Sequence, residues 1–308
     1  MSDTAALPSI SASGRASGRR RLYIAGAAIL IVAYLVAALL HWDDRALLWF
    51  REAMTSPAAQ AKAVWLPDYR VTIDARPLPG LENAEASDLT YDPVTRTLYS
   101  VMGKEPLLVQ LSLQGDVLRR IPLVGWSNPE GISRLADGRL AIVDERQHTL
   151  TVVTVNPDTT ALNFADFHST DLGASPDGNK GYEGVAWDAR HQRLLVGQER
   201  PSLLFSLKGN DSGFGSQKTP VASDALDMRN LSAMTFDPRT GHLLLLSADS
   251  HLLIEADENG QPVSFMTLLG HFNGLAHTVP RAEGVAMDDQ GTLYVVSEPN
   301  LFYAFEKK

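Results

Sequence analysis

Three glutamates in this 308-residue chain are each followed by glycine and an aliphatic residue: Glu130-Gly131-Ile132, Glu183-Gly184-Val185 and Glu283-Gly284-Val285. Each triplet opens a β-like run. If such runs line a common channel, the three carboxylates share a partly dehydrated space, where they repel one another and stay ionised only beside a cation or hydrogen-bond donors. Calcium suits such a set, because it takes about six to eight oxygen ligands in flexible geometry. The chain has no cysteine, and its histidines occur singly, so the compact His/Cys set that zinc prefers is missing.

A second acidic series, Glu145, Glu199, Asp249 and Glu298, lies 15, 16, 17 and 15 residues after the starts of its units. A strand-turn-strand hairpin returns these residues to the end of the channel where the first strand began. The competing reading needs no metal: Arg146 and Arg200 directly follow Glu145 and Glu199 and offer ion pairs, while each Glu-Gly glycine simply allows close packing of inner strands. No serine sits in a G-x-S-x-G elbow, and a cysteine nucleophile is impossible. No catalytic residue is assigned.

Positioning these acids requires a repeating scaffold. With the degenerate copies Ser87-Asp88-Leu89 and Ser232-Ala233-Met234, the starts fall at 87, 130, 183, 232 and 283, separated by 43, 53, 49 and 51 residues. That is the period of propeller blades. Within each unit a turn leads to a second run, such as Asp137-Gly138 before Leu140 to Val143, or Asp288 to Gly291 before Leu293 to Val296. Third strands are expected at Leu107 to Leu111, Leu150 to Val155, Leu203 to Leu207, Leu252 to Ala256 and Leu301 to Phe305. Fourth strands are legible only at Val117 to Leu123 and Ser264 to Leu269. The last unit runs out after three, so Tyr69 to Ala75 is expected to pair beside the C-terminal strands and close the ring. The fold predicted is all-β, a five-bladed β-propeller over residues 69–308, preceded by one transmembrane helix.

That helix is read from Leu22 to Leu40, 19 consecutive uncharged residues, which at ~1.5 Å per residue nearly cross a ~30 Å hydrocarbon core. The span is placed at 22–42 with Trp42 as an interfacial anchor; residues 1–21 read as a disordered basic tail and 43–68 as a partly helical tether. Arg15, Arg19, Arg20 and Arg21 precede the span and Asp43 and Asp44 follow it, which puts the N-terminus in the cytoplasm and the propeller outside. A cleaved signal peptide competes, but the run is long for one and lacks an A-x-A site. Beyond residue 42 the chain holds 23 basic and 35 acidic residues, a balance that speaks against nucleic acid as a partner.

The segments Gly181-Tyr182-Glu183-Gly184-Val185-Ala186-Trp187-Asp188, Val143-Asp144-Glu145-Arg146, Gln198-Glu199-Arg200-Pro201, Ala282 to Asp288 and Leu293 to Tyr303 resemble those of the SdiA-regulated family, bacterial single-pass membrane proteins with a propeller distantly related to NHL-repeat propellers. The resemblance runs over roughly residues 65–308. It implies five blades, a calcium site, and a role in protein-protein interaction with no established activity. Carried over by motif, Glu130, Glu183, Glu199 and Glu283 are the foremost metal-ligand candidates, followed by Glu145 and Glu298. Two departures stand out: Asn128-Pro129-Glu130, where the family often has Asp two residues before Glu, and Ser87-Asp88-Leu89 in place of Ser-Gly-Leu.

These readings converge on a calcium-binding propeller tethered to the bacterial inner membrane and exposed to the periplasm, acting as an interaction or sensing module with a possible protein partner. The alternative is a calcium-dependent hydrolase of lactones or phosphate esters, with the ion as Lewis acid at the channel mouth.

Overall fold

The computed structural model describes residues 13–39, 42–174, 181–210, 213–223, 225–226 and 228–308. Two compact units are present, one through Leu47 and one from Leu48 to Lys308. The first contains a helix, Ser13–Leu39, in which Gly18–Leu39 is long and apolar enough to cross a membrane. The helix begins well before the expected Leu22, so the part of the expected disordered tail from Ser13 onward is helical; residues 1–12, 40 and 41 lie outside the described set.

The second unit is the propeller, with five sheets whose successive strands pair antiparallel, apart from a short parallel pairing of Leu162–Asn163 on the first blade and the closing pairing of the last, between strands distant in sequence. The inner strands are Ala86–Asp92 (blade I), Pro129–Arg134 (II), Tyr182–Asp188 (III), Ala233–Asp237 (IV) and Ala282–Met287 (V). Each lies beside the next, and the last beside the first, so they form a closed ring. The middle strands, such as Leu140–Asp144 and Leu293–Ser297, are continuous buried runs covered on both faces. The fourth strand of blade I, Val117–Val124, alternates between more and less exposed positions and is covered only at its end, where Leu123 and Val124 pair in parallel with Leu162 and Asn163. Blades II and III carry outer strands of only three residues, Ser169–Asp171 and Thr219–Val221. Three residues are too few to show a period of two, which is why no fourth strand was legible there.

Closure occurs where the sequence required it. Tyr69–Pro77 pairs antiparallel with Leu301–Lys307, Tyr69 opposite Lys307 and Pro77 opposite Leu301, and completes blade V. Between blades the core is aliphatic and aromatic: Leu244, Leu246 and Leu253 meet Val285, Val295 and Phe305.

The tether is docked before the first strand begins. Fully buried Glu255 accepts the backbone N–H groups of Val64 (2.7 Å) and Trp65 (3.0 Å) and the Ser264 hydroxyl (2.6 Å), with His242 Nδ1 at 2.6 Å. Burial opposes ionisation, but these partners outweigh it and hold the carboxyl below its ordinary range.

Candidate functional site

In four blades the inner strand carries a bulge at its start. Pairing skips between Ala86 and Asp88, Pro129 and Gly131, Tyr182 and Val185, and Ala282 and Gly284. The skipped positions hold Ser87, Glu130, Glu183 and Glu283. A bulge leaves its extra residue out of the ladder and re-aims its side chain, so one irregularity, repeated, turns the signature residues toward a common space. The glycines that follow answer to packing. A methyl on Gly131 would lie 2.2 Å from the Glu183 carbonyl oxygen, and one on Gly284 2.7 Å from Asp88 Cα. Neighbouring inner strands pass too close for any side chain.

The serines of blades I and IV are hydrogen-bonded to their neighbours' acids: Ser87 to Glu130, and Ser232 to Glu283. The second acidic series arrives at the same end. Met102, Asp144, Gln198 and Ser297 pair opposite Ala86, Pro129, Tyr182 and Ala282, so Gly103, Glu145, Glu199 and Glu298 follow at one level of the ring. Glu145 accepts the Asn128 amide through Oε2 and the Gly181 N–H through Oε1, both at 3.1 Å. Glu199 Oε1 lies 3.4 Å from Arg200 Nε. Asp249, grouped with this series by spacing, does not belong to it: blade IV places Ala248 after Ser247, and Asp249 forms a salt bridge with Arg200.

Sequence reasoning missed two members of the site. Arg281 reaches Glu283 Oε1 (3.3 Å) and Glu298 Oε2 (2.6 Å); the only trace of it in the sequence is its position two residues before Glu283. Gly103 is the other. A methyl there would stand 2.9 Å from Ser87 Oγ and 3.0 Å from both Asn128 Oδ1 and Glu130 Oε1, so three oxygens face one small space that glycine leaves open.

The electrostatics follow from this crowding. Burial, reinforced by Glu145, Glu283 and Glu298, pushes the Glu130 carboxyl to about 8 against the hydrogen bond from Ser87. Burial and the charges of Glu199, Glu283, Glu130 and Glu145 drive Glu183 well above the carboxylate range. Glu283 rises to about 7 because burial and its acidic neighbours exceed the help of Ser232 and Arg281, and burial raises Glu298 as well. Among the described residues no Arg or Lys is paired with Glu130 or Glu183; Arg200 serves Glu199, and Arg281 serves blade V. Also among the described residues, no three His, Cys, Asp or Glu side chains are arranged to hold a metal ion. The point of oxygen convergence instead combines a hydroxyl, an amide and one carboxylate.

The SdiA-regulated family model matches residues 61–306. Among solved structures, an auxiliary nutrient binding protein from Bacteroides thetaiotaomicron is similar over 78% of this chain and 76% of its own, with TM-score 0.51 and 9% identity. A gluconolactonase from Xanthomonas campestris matches over 81% and 93%, with TM-score 0.49 and 17% identity. A streptogramin B lyase matches over 73% of this chain, which spans 66% of that one, with TM-score 0.43 and 8% identity. At such identities the likeness concerns the fold alone.

Proposed function

Because the chain belongs to the SdiA-regulated family, we propose that its channel mouth binds calcium and that the propeller is a membrane-tethered, extracytoplasmic interaction or sensing module. The observation that carries this reading is the set of converging glutamates, Glu283 buried and Glu130 and Glu183 half-buried, all raised by desolvation and by neighbouring acids. Two of them, Glu130 and Glu183, lack a cationic partner among the described residues. The donors are all hard oxygens: these carboxylates, the Asn128 amide, the Ser87 hydroxyl, and Glu145, Glu199 and Glu298 around them. Bound there, calcium would supply the positive charge that lets the carboxyls ionise. Arg281 does part of this for Glu283 and Glu298, so an ion pair serves blade V, while the cation is needed nearest Glu130 and Glu183. Gly18–Leu39 is the anchor, oriented by Arg15 before it and by Arg19, Arg20 and Arg21 at its N-terminal end.

A second reading, a calcium-dependent hydrolase of lactones or phosphate esters, uses the ion as a Lewis acid on the substrate oxygen and one of Glu145, Glu199 or Glu298 as the base. It requires that Glu199→Gln abolish turnover while the fold is retained.

The deciding experiment is calcium titration of the full chain in detergent after chelation, with calorimetry and thermal unfolding followed together. Binding with a raised melting temperature, lost in Glu183→Gln, is expected. Absence of binding overturns the calcium reading and leaves the acids to their protons and to Arg281.

A further inference from the structure

The chain between the anchor and the propeller contains a helix, Trp42–Ala53, whose polarity is inverted. At about 100° per residue, Leu48, Arg51 and Glu52 share one side, while Trp49, Phe50 and Ala53 share the other. The first side faces the propeller. Leu48 is 2% exposed and joins Leu252 and Ile254 of blade IV, Arg51 donates to the Ala225 carbonyl (3.2 Å), and Glu52 Oε1 is enclosed without a hydrogen-bond partner. From Ala46 onward the opposite side is apolar and open: Trp49 is 64% exposed, Phe50 60%, and Met54, just beyond the helix, 73%. A helix bounded by protein and water would place these residues the other way round.

We propose that Trp49, Phe50 and Met54 lie in the lipid-water interface of a bilayer, so that this helix is a pad between membrane and propeller rather than a free linker. Two observations commit the face to lipid. The run Gly18–Leu39, long and apolar enough to span a bilayer, precedes it on the same chain, which keeps the helix near the membrane surface. Tryptophan and phenylalanine are the side chains that amphipathic helices bury at headgroup level, tryptophan above all. The helix is also fixed to the propeller at both ends of the tether: through Leu48 and Arg51, and again where Val64 and Trp65 dock on Glu255. A pad held in this way restricts how the propeller can tilt. The proposal rests on the membrane-anchor reading given above.

The absence of cysteine allows a direct test, since any cysteine introduced is unique. The full chain is reconstituted in phosphatidylcholine vesicles with a nitroxide at Trp49→Cys, Phe50→Cys, Ile29→Cys within the span, or Val94→Cys on an exposed blade turn, all at exposed positions. Collision with oxygen is then compared with collision with a water-soluble nickel chelate. Residues 49 and 50 are expected to prefer oxygen, as residue 29 does, whereas residue 94 prefers the chelate. If residue 29 is lipid-exposed and residues 49 and 50 behave like residue 94, the pad is refuted and the anchor stands. If residue 29 also behaves like residue 94, both fall.

Discussion

Replacing Glu283 by glutamine distinguishes a carboxylate that needs a cation from one already satisfied by Arg281. Glu283 is 8% exposed, and its carboxyl is raised from 4.5 to about 7. Each tenfold change in proton affinity is worth ~1.4 kcal/mol, so ionised Glu283 burdens the cation-free fold by about 3 kcal/mol. The folded carboxyl holds its proton more tightly than the unfolded one. Its stabilising share is therefore complete below pH ~4.5 and is lost as pH rises to about 7. Glutamine imitates the protonated form at every pH. In chelator, Glu283→Gln should match wild type near pH 4.5 and exceed it by up to about 3 kcal/mol at pH 9. In saturating calcium the order should reverse, because wild type gains the binding free energy and the variant has lost a ligand. Urea unfolding of the full chain in detergent, followed by tryptophan fluorescence at both pH values with and without calcium, reads each sign. A variant less stable than wild type in chelator at pH 9 would refute the reasoning, since the Arg281 pair at 3.3 Å would then outweigh repulsion and burial.

Gly131→Ala places a methyl 2.2 Å from the Glu183 carbonyl oxygen, a backbone atom that cannot rotate aside; a loss of about 3 kcal/mol is expected in thermal unfolding, and a loss below about 1 kcal/mol would show that the inner strands separate easily. Glu255→Gln sets an amide N–H₂ among the donors of Val64, Trp65 and Ser264, at a cost of about 3 kcal/mol to the docked tether. Tryptic cleavage after exposed Lys62 should accelerate accordingly, and an unchanged rate would contradict the docking role. Because the folded Glu255 carboxyl is depressed, its contribution is complete above the ordinary 4.5 and disappears as pH falls through the lower folded value, so acid should loosen the same segment in wild type.

The blades, their order and the closing strand were readable in the chain because each depends on local pattern: apolar runs of strand length, turns rich in Asp and Gly, and a fixed repeat. The carboxylates at 130, 183 and 283 were legible for the same reason, and strand-turn-strand geometry brought Glu145, Glu199 and Glu298 to the same end. The three-residue outer strands of blades II and III were not, being too short to show a period, and the helix start at Ser13 was missed because serine, glycine and arginine give no apolar signal there. Tertiary structure alone decided which charges meet. The blade V hairpin sets Arg281 against Glu283 and Glu298; packing between blades gives Ser87 and Ser232 to neighbouring glutamates, opens the space at Gly103 and moves Asp249 to a pair with Arg200; and docking of the tether brings Val64 to Glu255, 191 residues away in sequence. Periodicity along a strand fixes the face on which a side chain lies; the partner it meets there depends on bulges, register and the curvature of the whole ring, none of which is encoded within a single repeat.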